Sequence, residues 1–354
     1  MPAPANDLFV RAAHSGTPLL EGDRATFVWQ GEHAPAITGD FTHWHNGAPI
    51  AMQPAGPGLW SATLSLPRDA YLEYALLLDG QRVPDPLNPR SIDNSFGNTN
   101  SVFWMPDWAD TPLAQPQPGV PAGQVSEHAV PTHGYVVGAE RTVVLYHPAT
   151  PGPCPLLVVL DGQDYLRKAR LPVIVDNLIA QGRIRPIALA LVSNSEIARL
   201  VEYACSDANL AFLLDQVLPL ARAHLPLTEP GSGGWGIMGA SMGGLMSLYA
   251  ALRAPEVFAN VLCESGAFGA DHPEHRLYHR SVIEDLIDRL PPPPLKLWLD
   301  CGLHEWFLEP NRRMVARLRA RGYAVTYNEQ TSGHNYPSWR NVVWRGLLHV
   351  YGVQ

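Results

Sequence analysis

Residues 236–244 read GIMGASMGG, and a helix-forming run, LMSLYAAL, follows them at 245–252. The stretch sets Ser241 between Gly239 and Gly243, with a short apolar entry before it. A strand, a sharp turn at a serine and a helix make the nucleophile elbow, in which the serine backbone is strained and neighbouring side chains would clash. We therefore predict that Ser241 is a nucleophile; the alternative is a Gly/Ser turn without chemistry.

The composition limits what the chain binds. Its 354 residues fit two domains, and a net charge of −8 argues against nucleic acid or an anionic membrane as partner. Residues 1–7 show no basic start followed by an apolar run, so we expect no signal peptide and a cytoplasmic location. The cysteines stand far apart, as buried thiols do, and neither a metal nor a cofactor is expected. They are Cys154, Cys205, Cys263 and Cys301.

The first 105 residues are predicted to form an all-β immunoglobulin-like sandwich. Short β-rich segments alternate there with Gly, Pro, Asn and Asp, which is typical of such a domain. The predicted strands are residues 24–30, 36–40, 59–66 and 72–80. Residues 106–124 are rich in Pro and small side chains and are predicted to be a linker.

Residues 125–354 are predicted to form an α/β-hydrolase domain. Apolar runs typical of buried strands alternate with helical patterns, which indicates a mostly parallel, doubly wound sheet around the Ser241 turn. The predicted strands are residues 141–146, 156–160, 187–192, 235–238, 260–263, 296–300 and 324–328. The predicted helices include 208–224 and 311–321.

This fold predicts the partners of Ser241, because its triad runs nucleophile, acid, histidine along the chain. His334 follows the last predicted strand in a Gly-bearing loop, so we expect it to be the general base. A solvated loop histidine is the alternative. Glu305 is the preferred acid because it lies a few residues past a strand end, and Asp300 and Glu309 are its rivals.

Two backbone N–H groups are expected to form the oxyanion hole. Met242 provides the first, since it follows the nucleophile. Gln163 provides the second from the turn after strand 156–160, with Asp164 as the alternative.

A set of short motifs runs through both predicted domains. They are 85–89 (DPLNP) with 105–106 (MP), 160–163 (LDGQ), 199–202 (RLVE) before Cys205, 218–219 (LP), the Ser241 motif, 265–266 (SG), 302–305 (GLHE), and 333–334 (GH) with 339–340 (WR). In these motifs the chain resembles the enterochelin (ferric enterobactin) esterase family of two-domain serine hydrolases. The resemblance covers about residue 20 to the C-terminus and implies hydrolysis of catecholate siderophore trilactones. Feruloyl esterases resemble the catalytic part more distantly.

Three residues near these motifs are expected to contact the substrate. They are Arg199, Trp339 and Arg340. For Arg199 the alternative is a structural ion pair, and for Trp339 it is core packing. The acidic and histidine cluster at 271–275, with His279, is interpreted as a solvated loop rather than a metal site.

The sequence thus predicts a serine carboxylic-ester hydrolase that works through an acyl-enzyme on a small-molecule ester. A feruloyl-type or general small-ester esterase, or an acyltransferase, would use the same triad. A non-catalytic ligand-binding protein is the rival from another class. Since every triad candidate lies after residue 160, the N-terminal domain is expected to serve substrate choice rather than chemistry.

Overall fold

A computed structural model describes residues 5–93, 97–232, 234–269 and 281–353. The chain divides into two compact units. Unit 1 comprises residues 1–109 together with two later segments, 302–306 and 330–338. Unit 2 comprises residues 110–301, 307–329 and 339–354. The boundary at residue 109 lies close to the predicted one, but the grouping of the two later segments with the N-terminal residues is a new finding.

Unit 1 contains two antiparallel sheets. One has the strand order β1-β2-β6-β5, and the other has the order β4-β3-β7-β10-β9, with β8 paired to β7. The strands are β1 (Leu19–Glu21), β2 (Arg24–Gln30), β3 (Ala36–Gly39), β4 (Ile50–Ala51), β5 (Gln53–Gly56), β6 (Leu59–Ser65), β7 (Tyr71–Leu78), β8 (Gln81–Val83), β9 (Ser91–Asp93) and β10 (Thr99–Trp104). The four predicted strands of this region are confirmed within two residues at each end.

Alternate side chains of both sheets pack into one apolar core, as the period of two in a strand requires. Phe27 of β2 makes edge-to-face contacts with Tyr74 of β7 and Phe103 of β10, at ring-centroid distances of 4.8 and 5.6 Å. A helix that the sequence analysis does not predict, α1 (Ala5–Ser15), precedes the strands. Its Ala12 is buried in a small cluster with Val28.

Unit 1 gains a further strand-like segment from far along the chain. Ser332 forms a parallel bridge with Tyr71, the first residue of β7. The Tyr71 N–H donates to the Thr331 carbonyl at 3.3 Å, and the Thr331 hydroxyl donates to the Asp69 carbonyl at 3.4 Å. The segment that carries His334 is therefore hydrogen-bonded to the N-terminal part of unit 1.

An eight-stranded sheet with the order β11-β12-β14-β13-β15-β16-β17-β18 is the centre of unit 2. Strands β14, β13, β15, β16 and β17 pair in parallel with their neighbours in this order. Strand β12 pairs antiparallel with both β14 and β11. The strands are β11 (Gln124–Pro131), β12 (Glu140–His147), β13 (Leu156–Leu160), β14 (Ala188–Val192), β15 (Gly236–Ala240), β16 (Asn260–Glu264), β17 (Lys296–Gly302) and β18 (Val325–Gln330). The central strands are buried on both faces, which explains their continuous apolar runs.

Helices follow most of these strands, so the fold is a mixed α/β fold. They are α2 (Gly162–Arg167), α3 (Leu171–Ala180), α4 (Arg199–Glu202), α5 (Asp207–Phe212), α6 (Leu218–His224), α7 (Met242–Arg253), α8 (Val282–Arg289), α9 (Leu308–Ala320) and α10 (Tyr336–Tyr351). The helix predicted over 208–224 is present as a continuous helical segment, in which α5 and α6 are joined by a π-helical turn at Leu213–Val217. None of the helices in the described ranges has the length and apolarity needed to cross a membrane.

The predicted linker, residues 106–124, lies partly in each unit. The first linker residues in unit 2 pack against α3. The Asn177 side chain of α3 donates hydrogen bonds to the carbonyls of Leu113 (2.7 Å) and Gln115 (2.9 Å). Leu113 is buried as well. This part of the linker is therefore attached to unit 2 rather than running free.

Candidate active site

Ser241 lies at the turn between β15 and α7. Its backbone has φ 58° and ψ −122°, outside the regions that side-chain-bearing residues ordinarily occupy. The Ser241 N–H donates to the Glu264 carbonyl at 2.8 Å, and its own carbonyl accepts from the N–H groups of Leu245 (3.1 Å) and Ala267 (2.9 Å). These hydrogen bonds hold the strained turn, which presents a partly exposed serine at the carboxyl end of a parallel strand.

The glycines on either side of Ser241 lie in closely packed surroundings. A Cβ at Gly239 would lie 2.7 Å from the carbonyl carbon of Gly243, and one at Gly243 would lie 3.3 Å from Asp161 Oδ2. A Cβ at Gly244 would lie 3.1 Å from the Cα of Gly266. A side chain at Gly239 would therefore clash with backbone, whereas at Gly243 and Gly244 the neighbouring atoms would have to shift by a few tenths of an ångström.

The two expected oxyanion donors each lie in the first turn of a helix, where backbone N–H groups lack an intrahelical acceptor. Met242 begins α7, and Gln163 is the second residue of α2. The N–H of the alternative, Asp164, donates to the Asp161 carbonyl at 2.9 Å, which favours Gln163. A Cβ at Gly162 would overlap the backbone of β14, so only glycine lets α2 begin this close to the sheet.

His334 and Glu305 lie together in unit 1. The imidazole Nδ1 and Glu305 Oε2 are 2.6 Å apart, and only 7% of the His334 side chain and none of the Glu305 side chain is exposed. The second carboxylate oxygen of Glu305 accepts from the N–H of Gly302 at 2.8 Å. An Nδ1–H donated to a carboxylate fixes the tautomer in which Nε2 is the nitrogen that can accept a proton.

The rival acids are engaged elsewhere. Asp300 is buried within β17, where its Oδ2 accepts from the Trp298 indole at 2.9 Å. Glu309, on α9, forms an ion pair with Arg312 at 2.6 Å. Of the three candidates, Glu305 is therefore the one whose hydrogen bond to His334 is observed.

An aromatic side chain that the sequence analysis does not name lies beside His334. The rings of Trp306 and His334 are 5.1 Å apart, and the His45 ring is 6.4 Å from Trp306. Trp306 directly follows Glu305 in the sequence, and this position could have indicated that it lies near the site.

Arg199 makes a two-pronged ion pair with Asp161, the residue before α2. Its Nε donates to Oδ1 at 2.7 Å and its Nη2 to Oδ2 at 2.5 Å. Asn194 donates to the same carboxylate at 2.6 Å, and Arg199 also reaches the carbonyl of Ala240 at 3.4 Å. The structural ion pair that was the alternative interpretation is thus present, and it ties the turn before Gln163 to the strand before Ser241.

The other two expected substrate residues also make contacts within unit 2. Trp339 is 5% exposed and donates from its indole to the Ser265 hydroxyl at 2.8 Å. Arg340 forms an ion pair with Asp110 of the linker region and donates to the Lys168 carbonyl at 3.4 Å. A substrate-binding role for these residues stays a prediction.

The acidic and histidine cluster at 271–275, with His279, lies outside the described residues. Within the described ranges, no group of three or more His, Cys, Asp or Glu side chains is arranged to hold a metal ion.

Comparison with known proteins identifies the family. Residues 135–349 match the model of the Esterase family, described as "Putative esterase", which covers more than half of the chain. The chain belongs to this esterase family. It is a carboxylic-ester hydrolase, and the resemblance found in the sequence is confirmed.

Similar proteins extend the match to both units. The iron(III) enterobactin esterase of Escherichia coli K12 is 25% identical over 350 residues, covering 89% of this chain and 85% of that protein. The crystal structure of ferric enterobactin esterase from Salmonella typhimurium has a TM-score of 0.74 at 21% identity, covering 92% of this chain and 93% of that one. A ferulic acid esterase structure has a TM-score of 0.53 at 15% identity and covers 65% of this chain and 98% of that one.

Beneath the serine turn lies a fully buried carboxyl group, that of Glu264. The Tyr165 hydroxyl of α2 donates to its Oε2 at 2.5 Å, and Asp300 is its neighbour across the β16–β17 pair. Burial, followed by the charge of Asp300, raises the pKa of Glu264 well above its usual range. The folded protein therefore retains this proton at a pH where the unfolded chain has lost it.

We predict that Glu264→Gln makes the protein less sensitive to alkaline pH. Because the pKa of Glu264 is raised on folding, its contribution to the free energy of unfolding falls as pH rises above about 4.3, the value in an unfolded chain. Glutamine cannot ionise, yet it retains an oxygen that can accept from Tyr165. The melting temperature of the variant relative to wild type should therefore rise by about 2 °C or more between pH 5 and pH 8.

Thermal unfolding followed by circular dichroism at both pH values measures this difference. Glu127→Gln, an exposed substitution on β11, is the matched control and should leave the pH dependence unchanged. Parallel curves for Glu264→Gln and wild type would contradict the prediction.

Proposed function

We propose that this esterase works through a serine acyl-enzyme, with Ser241 as nucleophile, His334 as general base and Glu305 as the residue that orients the imidazole. The observation that carries the proposal is the buried hydrogen bond between His334 Nδ1 and Glu305 Oε2. The strained backbone at Ser241 supports it independently. The order serine, acid, histidine along the chain is that of an α/β-hydrolase triad.

The proposed reaction begins when Ser241 Oγ attacks the ester carbonyl carbon and its proton passes to His334 Nε2. The N–H groups of Met242 and Gln163 would stabilise the oxyanion. Collapse of this intermediate expels the alcohol, which takes the proton from His334, and leaves an acyl group on the serine. Water then attacks the acyl-enzyme by the same route, which releases the acid and restores Ser241.

We further propose catecholate siderophore trilactones as the substrate class. The proposal is supported by the iron(III) enterobactin esterase relatives, whose similarity extends over 89% of this chain rather than over the catalytic part alone. An immunoglobulin-like fold for residues 1–105 belongs to the same proposal and agrees with the two antiparallel sheets of unit 1. The substrate-binding roles of Arg199, Trp339 and Arg340, and the cytoplasmic location, remain predictions.

A feruloyl-type or small-ester esterase is the second candidate. The net charge of the chain, −8, favours this candidate, because an acidic protein attracts an anionic substrate poorly. The chain also contains only two lysines, Lys168 and Lys296, that could bind such a substrate. Arg199, moreover, is already paired with Asp161.

A hydrolysis panel separates the two candidates. Purified protein is assayed with a short nitrophenyl ester, a feruloyl ester, and a catecholate trilactone with and without iron. We expect the largest kcat/KM for a trilactone, because a large substrate offers binding energy that a small ester lacks. A larger kcat/KM for the feruloyl ester would establish the second candidate instead.

Replacing the nucleophile tests the mechanism. Ser241→Ala should lower kcat by about 10⁴-fold or more, because no other group at the turn can form the acyl-enzyme. Steady-state kinetics with a nitrophenyl ester measure the loss, and circular dichroism checks the fold. Near-wild-type turnover by this variant would contradict the proposed mechanism.

Three matched substitutions test the acid. Glu305→Gln should lower kcat by about 10⁴-fold, because the amide no longer enforces the required tautomer of His334. Asp300→Asn and Glu309→Gln should retain most of the activity once their melting temperatures show that they are folded. The largest loss at Asp300, or equal losses in all three variants, would reassign the role.

A further inference from the structure

A buried acid from the N-terminal part of unit 1 lies against the segment that carries His334. Asp40 follows β3 directly and is 2% exposed. Its Oδ2 accepts from the backbone N–H of Glu73 at 2.7 Å, and its Oδ1 accepts from the indole N–H of Trp44 at 2.7 Å. Two donors from different elements thus fix the Asp40 carboxylate in one orientation.

The Asp40 carboxylate meets the chain at Gly333, the residue before His334. A Cβ placed on Gly333 would overlap both carboxylate oxygens of Asp40, so the glycine backbone rests directly on this group. The neighbouring residues Thr331 and Ser332 are attached to Tyr71, at the start of β7. The segment before His334 is therefore hydrogen-bonded to the start of β7 and lies directly against Asp40.

The segment that lies against Asp40 also packs on the residues around Glu305, the acid of the proposed triad. A Cβ on Gly302 would overlap the Ser332 carbonyl oxygen, and the N–H of His304 donates to that oxygen at 3.1 Å. Gly302 is also the backbone donor to Glu305. The segments 302–306 and 330–338 thus pack on each other, so a displacement of the second at Gly333 also disturbs the hydrogen bond between Glu305 and His334.

Charged groups surround Asp40 within unit 1. Burial raises the pKa of Asp40 well above its usual range, and the negative charges of Glu73 and Glu305 raise it further. Arg82 opposes these charges, and its guanidinium lies 3.9 Å from the centre of the Trp44 ring. Asp40 therefore accepts its two hydrogen bonds at a site that disfavours its ionisation.

We propose that Asp40 is a positioning residue for catalysis: by seating Gly333, it fixes the segment on which His334 meets Glu305. This inference rests on the proposed roles of His334 and Glu305. It departs from the expectation that the N-terminal domain serves substrate choice rather than chemistry, since unit 1 then also supports the chemistry. Asp40 itself touches no reacting atom in this proposal.

The first test compares two buried acids of unit 1 in the full-length protein. Asp40→Asn puts an amide NH₂ against one of the two N–H donors, which should shift the carboxylate site and Gly333 with it. We expect kcat for a short nitrophenyl ester to fall by about 10- to 100-fold, since small misplacements of catalytic groups have effects of this size. KM should remain unchanged, because the small ester gains its binding elsewhere.

Asp85→Asn is the matched control. Asp85 is also 2% exposed and accepts hydrogen bonds from Thr17, Tyr74 and Leu87, all within the N-terminal part of unit 1. Its loss should lower the melting temperature while leaving kcat at the wild-type value. An equal loss of kcat in the folded Asp85 variant, or full kcat in Asp40→Asn, would overturn the proposal.

A double-mutant cycle keeps the proposal falsifiable if Asp40→Asn is too unstable to assay. Gly333→Ala alone should reduce kcat strongly, because the new methyl group overlaps Asp40. In an Asp40→Ala background the space is open, so adding Gly333→Ala should lower kcat much less than it does in wild type. Equal effects of Gly333→Ala in both backgrounds would overturn the proposal.

Ser241→Ala in the same assay separates this inference from the proposed function. An active Ser241→Ala variant would refute the triad itself. An inactive Ser241→Ala variant together with a fully active Asp40→Asn variant would refute only the role of Asp40.

Discussion

The hydrogen bond between His334 and Glu305 joins two segments that follow different strands, β17 and β18. Both side chains are buried, so solvent does not readily take the place of either hydrogen-bond partner. Removing either group would take a buried hydrogen-bond partner from the other, which is costly in the interior. The packing of Gly302 on Ser332 and of Gly333 on Asp40 serves the same end, since each brings the backbone to where the side chains can meet. The carboxylate–imidazole pair therefore acts together with these backbone contacts to fix the two segments on each other.

In unit 2 the corresponding constraint is close packing of backbone around Ser241. Gly239 and Gly243 approach each other across the turn, and Gly162 approaches β14. Hydrogen bonds between polar side chains then stabilise this close packing: Arg199 donates to Asp161, and Tyr165 donates to Glu264. Charged residues near the serine thus serve first to hold the backbone, which is why an arginine close to a reactive turn is weak evidence for recognition of an anion.

Sequence patterns predicted the buried strands well, because an uninterrupted apolar run such as residues 156–160 has few alternatives in an α/β chain. The serine turn was predictable for a similar reason, since its glycines are a local steric requirement. Position along the chain favoured Glu305 over Asp300 and Glu309, and the observed hydrogen bond to His334 agrees. Local patterns could not reveal the contact of Asp40 with Gly333, because it depends on how distant segments fold together. The pairing of Arg199 with Asp161 was left open for the same reason.

Unit 1 is built from segments that lie far apart in the chain, and this limits the order in which the protein can fold. Its two sheets come from the first part of the chain, but the segments 302–306 and 330–338 are synthesised after residues 110–301, which form most of unit 2. Contacts between such distant segments carry a large loop-closure entropy and form late. On the ribosome, N-terminal parts generally fold first. The contacts of residues 331–333 with Asp40 and with the start of β7 can form only after residue 333 has been synthesised, long after the two sheets.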